Sequence, residues 1–181
     1  MRIFHKSIIA LVMVFFAIAG TATAGDDVSF LKAYATNING RTVTIEGGSV
    51  WMMDSNIPIV AFDEVVIVFS GQDPLPKGNN LKLRINSFPR RGTLTFKGSE
   101  VGVTLVSGMF IRTNGQIATV VRVVDDGKVV ELDDGSAWNV PTYDQYDTRF
   151  WIPPYKVIVY ANRLYLLNIG EAKRIWVRER R

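Results

Sequence analysis

Few side chains in this chain are suited to covalent or acid–base chemistry, and the clearest of them come in pairs. Asp144 and Asp147 lie three positions apart in the segment 141–154. Two carboxylates flanking one bond are what glycoside hydrolysis uses, and the same pair could ligate a hard cation. Ser49 and Ser136 each follow a glycine, as some nucleophilic serines do, but a serine nucleophile needs a base beside it. The only histidine, His5, lies in the first 24 residues, and the chain has no cysteine. Ser-His-Asp and Cys-His catalysis, and zinc sites built from His and Cys, are thereby excluded for residues 25–181. Lysine-assisted serine chemistry would remain, but neither serine precedes a helix start or sits in a catalytic serine motif. Both read as turn residues. Asp125, Asp126, Asp133 and Asp134 flank a hairpin without the spacing of a calcium loop. No metal and no cofactor is expected, and the chain reads as non-enzymatic.

Binding residues are easier to find. The segment 141–154 concentrates Tyr143, Asp144, Tyr146, Asp147, Arg149, Phe150 and Trp151. Tyr, Trp and Arg dominate recognition surfaces, and loops on rigid scaffolds carry binding. The plainer alternative is a long connection packing its own aromatics over a barrel mouth. Two basic groups, Arg90 and Arg91 with Lys97, and Lys173, Arg174, Arg178 and Arg180 near the end of the sequence, would suit an anionic partner or simply be solvated surface.

The elements that must position these residues are strands. A pattern is written twice: Gly40, Val43, Gly48, Ser49 and Trp51 recur as Gly127, Val130, Gly135, Ser136 and Trp138, 87 residues later. A repeat of this length sets the architecture. Gly40, Gly48, Gly127 and Gly135 are read as turn glycines, and Trp51 and Trp138 as plugs for two small cores. Apolar and polar residues alternate with period two over most of the chain. Asn39-Gly40 signals a type I′ hairpin turn, and Asp126-Gly127 makes the corresponding turn in the second repeat. In each repeat five strands are expected, including Leu81 to Ile85 in the first. Val66 to Phe69 is matched with Val157 to Tyr160, and Leu81 to Leu83 with Leu164 to Leu166. The fold class is therefore all-β: two tandem five-stranded barrels, SH3-like or OB-like, with an extra hairpin between them. A single β-sandwich built from both repeats is the rival. The boundaries fall at 1–24 for a signal peptide, 25–88 for the first barrel, 89–115 for the linking hairpin and 116–181 for the second barrel with its basic tail. No helix is expected after residue 24.

Residues 1–24 carry the three parts of a secretory signal: basic Arg2 and Lys6, an apolar run from Ile8 to Ala19, and Ala22-Thr23-Ala24 as a cleavage pattern. The run is short for a bilayer span, which takes about 20 apolar residues, so no transmembrane segment is expected after cleavage. The formal net charge of +4 falls to +2 without Arg2 and Lys6, too little to indicate general polyanion binding. An exported chain without cysteine suits a bacterial periplasm. The expectation is a periplasmic or secreted binding or scaffold protein with an envelope protein or cell-wall polymer as partner and no nucleic acid. A glycan-binding module is the alternative, with a carboxylate-dependent hydrolase behind it.

Overall fold

The computed structural model of the protein describes residues 25–70 and 91–180. In its first half lie β1 (Asp27–Asn39), β2 (Thr42–Ile45), β3 (Val50–Met53), β4 (Glu64–Ser70), β5 (Arg91–Phe96) and β6 (Ser99–Ser107). Every pairing is antiparallel. β1 pairs with β2, β2 with β3, β3 with β6, β6 with β5, β5 with β4, and β4 with β1. The ring is closed, so no strand edge of it is left open. Its interior holds Val43, Ile45, Trp51, Ile67, Phe69, Leu94 and Val103, all at most 1% exposed.

This barrel has six strands, not five. The hairpin expected as an insertion between repeats supplies the last two, because β5 pairs with β4 on one side and β6 with β3 on the other. Alternation marks a hairpin but not its neighbours, which here lie 25 and more positions away in sequence. The strand expected at 81–85 lies outside the described residues.

The second half holds β7 (Thr113–Val124), β8 (Val129–Leu132), β9 (Ala137–Asn139), α1 (Thr142–Thr148), β10 (Tyr155–Tyr160), β11 (Tyr165–Asn168), β12 (Lys173–Trp176) and β13 (Arg178–Glu179). β7 pairs with β8, β8 with β9 and β9 with β13, while on its other side β7 pairs with β10, β10 with β11 and β11 with β12. A second cluster fills this half around Trp138, with Val120, Val130, Leu132, Val157, Leu166 and Ile175. The helix corrects the expectation of none. Seven residues are too few for a 3.6-residue period to stand out.

The halves join where β1 and β7 run side by side, from Asp27 opposite Gln116 to Phe30 opposite Thr113. A third cluster seals the seam: Val28, Phe30, Val66 and Val68 from one half meet Ile158, Leu167, Ile169 and Ala172 from the other. These faces correct the match between repeats. Val65, Ile67 and Phe69 point into the first core and Val157 and Val159 into the second, while Val66, Val68 and Ile158 face the seam. Val66 therefore corresponds to Ile158, not Val157. A slip of one residue exchanges the two faces of a strand.

The first hairpin turn also differs between halves. Asn39 pairs with Thr42, leaving Gly40 and Arg41 at the turn, with positive φ at Gly40 alone (58°). That is the type II′ pattern rather than I′. Val124 pairs with Val129, so the second turn holds four residues, with positive φ at Asp125, Asp126 and Gly127.

Candidate functional site

The repeated serine and tryptophan make the same contact twice. The Trp51 indole N–H donates to Ser49 Oγ at 3.0 Å, and that of Trp138 to Ser136 Oγ at 2.7 Å. Both rings are fully buried. A buried indole N–H needs an acceptor, and a serine two positions earlier, on the same face of the incoming strand, supplies it. The turn closes identically as well: Gly48 N–H donates to Ile45 O at 2.9 Å, and Gly135 N–H to Leu132 O at 3.0 Å. Both serines have structural partners: Ser136 Oγ also donates to Asp134 Oδ1 at 2.5 Å, a turn carboxylate that accepts from the Ser136 backbone N–H as well. The aspartates near the second hairpin are also turn groups. Asp133 accepts from Thr119 N–H at 3.0 Å, Asp134 from Ser136 N–H at 2.8 Å, and Asp125 pairs with Lys128 at 3.2 Å. Among the described residues no three His, Cys, Asp or Glu side chains converge as a metal site.

The segment 141–154 divides into three parts. One face of α1 is buried through Asp144 and Thr148. The Thr148 hydroxyl donates to Gly127 O at 2.7 Å, and a Cβ at Gly127 would meet Gln145 O at 2.6 Å and Arg149 N at 2.7 Å. The turn glycine of the second repeat is thus also the seat of the helix. The opposite face is exposed: Tyr143, Tyr146 and Phe150. Tyr146 and Phe150 meet edge to face at 5.4 Å, with the Arg149 guanidinium over both rings at 4.4 and 4.8 Å. Trp151 belongs to neither face. It is 4% exposed, sits in the second core and packs edge-on against Tyr155.

Both aspartates reach β12. Asp144 Oδ2 accepts from Trp176 N–H at 2.9 Å, and Asp147 pairs with Lys173 at 3.0 Å. The Trp176 N–H belongs to the edge of β12 that β11 does not cover, so Asp144 satisfies a group the sheet leaves open. The segment 141–154 and the start of the basic group, Lys173 and Arg174 on β12, singled out separately from the sequence, lie side by side here.

A cleft opens there. Tyr143, Asp144, Tyr165, Arg174 and Trp176 line a cavity of about 350 Å³. Arg174 also lines a larger cleft of about 550 Å³ at the seam, with Phe30, Lys32, Tyr34, Glu64, Tyr160 and Lys173 on its walls. In the larger cleft the Lys32 ammonium donates to Glu64. Burial alone would push the Glu64 carboxyl up, but the hydrogen bonds from Lys32 and Tyr34 and the charges of Lys32 and Lys173 hold it below the ordinary range. Tyr34 is pushed up by its hydrogen bond to that carboxylate. Lys173 is raised by its bond to Asp147. Burial lifts the Tyr160 hydroxyl, and the neighbouring Arg174 guanidinium pulls against it. Arg174 lies over the Tyr165 ring at 5.0 Å and pairs with no carboxylate among the described residues.

The other basic residues lie elsewhere. Arg91 pairs with Asp54 at 3.4 Å, and Lys97 approaches Asp63 at 4.0 Å and covers the Phe96 ring. Arg178 covers the Trp176 ring at 5.8 Å, and Arg180 N–H donates to Ala137 O at 2.8 Å. Arg90 lies outside the described residues. The residues that sequence reasoning missed, Phe30, Lys32, Tyr34, Glu64, Tyr160, Tyr165 and Trp176, all sit in strands. Their one local signal is an aromatic or charged side chain on a strand's outer face. Among the described residues no helix is long and apolar enough to cross a membrane. No family model, curated protein or solved structure matches the chain.

Proposed function

We propose that this is an exported, non-catalytic binding or scaffold protein of the bacterial envelope, periplasmic or secreted after removal of residues 1–24. In this reading the recognition surface is the cleft around Arg174. One observation carries it: the aromatic segment 141–154 and the basic strand β12 converge on that cleft, held by Asp144 and Asp147. Recognition residues positioned by a rigid sheet suit binding, and both aspartates are already engaged in structural contacts rather than poised as an acid–base pair.

The same reading takes the second half as a second barrel of the same small type, SH3-like or OB-like. Val177 alone separates β12 from β13. Taken as one bent strand, they complete the order β7–β8–β9–β12/β13–β11–β10. It parallels β1–β2–β3–β6–β5–β4 of the first half, which supports duplication of one barrel.

The test is capture of partners from envelope extracts by the purified protein and by a Tyr143→Ala/Arg174→Ala variant. Partners lost with the variant support the cleft. If the variant retains every partner, the cleft is the wrong surface. The second reading, a cell-wall or glycan-binding module, is favoured by the aromatic lining of the cleft. Sedimentation with purified peptidoglycan tests it, and no retention at low salt would reject it.

A further inference from the structure

The outer face of β10, β11 and β12 is only half covered. At one end Ile158 and Leu167 are sealed under the first half by Val28, Phe30, Val66 and Val68. At the other end Tyr160, Tyr165 and Trp176 stand in one row, since Tyr160 is directly opposite Tyr165 and Tyr165 directly opposite Trp176. Adjacent strands are about 4.8 Å apart, so the row runs about 10 Å across the sheet. The first two rings stack with centroids 5.5 Å apart and planes 30° from parallel. Phe30 closes the row at the seam, edge-on to Tyr160 at 5.0 Å. Tyr143, 71% exposed, flanks the far end with Trp176.

Arg174 lies on the same face as Trp176, two positions earlier in β12. It alone lines both cavities. Lys32 and Lys173 have carboxylate partners; Arg174 lies over the Tyr165 ring, shares a hydrogen bond with the Tyr160 hydroxyl and has no carboxylate partner among the described residues. A guanidinium that sits over a ring without a carboxylate partner still has donors for a carboxylate or phosphate.

Resting on the reading of the cleft as a binding surface, we infer that its ligand is an acidic glycan. Sugar rings lie along Tyr160, Tyr165 and Trp176, and a carboxylate or phosphate carried by the sugar pairs with Arg174. Tyr160 and Tyr165 stack on each other, so they offer edges and hydroxyls to sugar hydroxyls, while half-buried Trp176 and exposed Tyr143 at the far end supply apolar surface for the C–H faces of pyranoses. A peptide is a poorer fit. Adding a strand to a sheet edge requires open edge groups, and the Trp176 N–H on the open side of β12 is already taken by Asp144.

The test is titration calorimetry of the full protein with three probes of matched length: a neutral chito-oligosaccharide, a galacturonic acid oligomer carrying carboxylates, and a glycerol-phosphate polymer carrying sugars. At least one acidic probe should bind about tenfold or more tighter than the neutral one, with the preference falling as salt is raised. Which acidic probe binds tells carboxylate from phosphate. Arg174→Gln should reduce the acidic probe to the affinity of the neutral one, Arg174→Lys should keep part of the preference, and Tyr165→Ala should weaken acidic and neutral probes alike. Thermal melts and far-UV spectra of each variant verify folding, and Arg174→Lys carries the test if Arg174→Gln does not fold. Equal binding of neutral and acidic probes, or a preference unchanged in the Arg174 variants, overturns the acidic ligand while leaving the cleft in place. Binding of no glycan overturns the inference as a whole. The envelope capture with Tyr143→Ala/Arg174→Ala then decides separately whether the cleft binds anything.

Discussion

Replacing Ser49 with alanine removes one oxygen and leaves the Trp51 indole N–H without an acceptor. Ser49 and Trp51 are both fully buried, and the bond between them is 3.0 Å long, so no water enters to replace it. Stranding a buried donor costs about 1–3 kcal/mol. For a chain of this size about 2 kcal/mol corresponds to a fall of roughly 6 °C in Tm. Ser136→Ala also removes the hydroxyl's bond to Asp134, but Ser136 is half-buried and solvent can take up the partners left behind, so its cost should lie toward the low end. Urea denaturation followed by circular dichroism measures both. The decisive comparison is a double-mutant cycle. Trp51→Phe keeps an aromatic ring and removes the donor, so Ser49→Ala made on top of it should cost less than about 0.5 kcal/mol. If Ser49→Ala is as costly in the Trp51→Phe background, the serine matters for its turn and not for the tryptophan. The repeated serine is then a turn residue and not the acceptor that the buried indole requires.

Gly40→Ala and Gly127→Ala occupy the same place in the repeat but should differ sharply. A Cβ at Gly40 meets nothing within 4 Å, whereas at Gly127 it strikes two backbone atoms of the helix segment. Gly40→Ala should cost about 1 kcal/mol for the left-handed conformation alone, and Gly127→Ala measurably more by thermal melting. Asp144→Ala strands the Trp176 N–H and should cost about 1–3 kcal/mol, with amide exchange at Trp176 accelerated; protection unchanged from wild type would show that the contact is idle. Glu64 has a carboxyl held below its reference value of 4.5 in the folded state, so its contribution is present above that value and lost as pH falls through the lower, folded one. Stability of the wild type should decline in that acid range, and Glu64→Gln should show a shallower decline in urea titrations across the same pH values.

The sequence by itself determined what depends on neighbours a few positions apart. Strand alternation, the turn glycines, the doubled pattern and the absence of histidine and cysteine from residues 25–181 are local or compositional. The Ser-x-Trp pair is local too, since a hydrogen bond between residues two apart is written in their spacing, although only the structure disclosed the bond. Tertiary structure decided everything that required a partner from elsewhere. Alternation is the same for a hairpin inside a barrel as for one outside it, so only the pairing of β5 with β4 and β6 with β3 made residues 91–107 part of the ring. Matching Val66 with Val157 looked as good by residue type as matching it with Ile158, because consecutive valines and isoleucines carry no record of which face is buried. Packing supplied that record. Helix α1 exists because Asp144 and Thr148 have partners on β12 and at Gly127, contacts that cross 32 and 21 positions of sequence. The cleft is the extreme case. Phe30, Glu64, Tyr160 and Arg174 stand in one place only because two halves of the chain pack across a seam, and no residue near any of them in sequence says so.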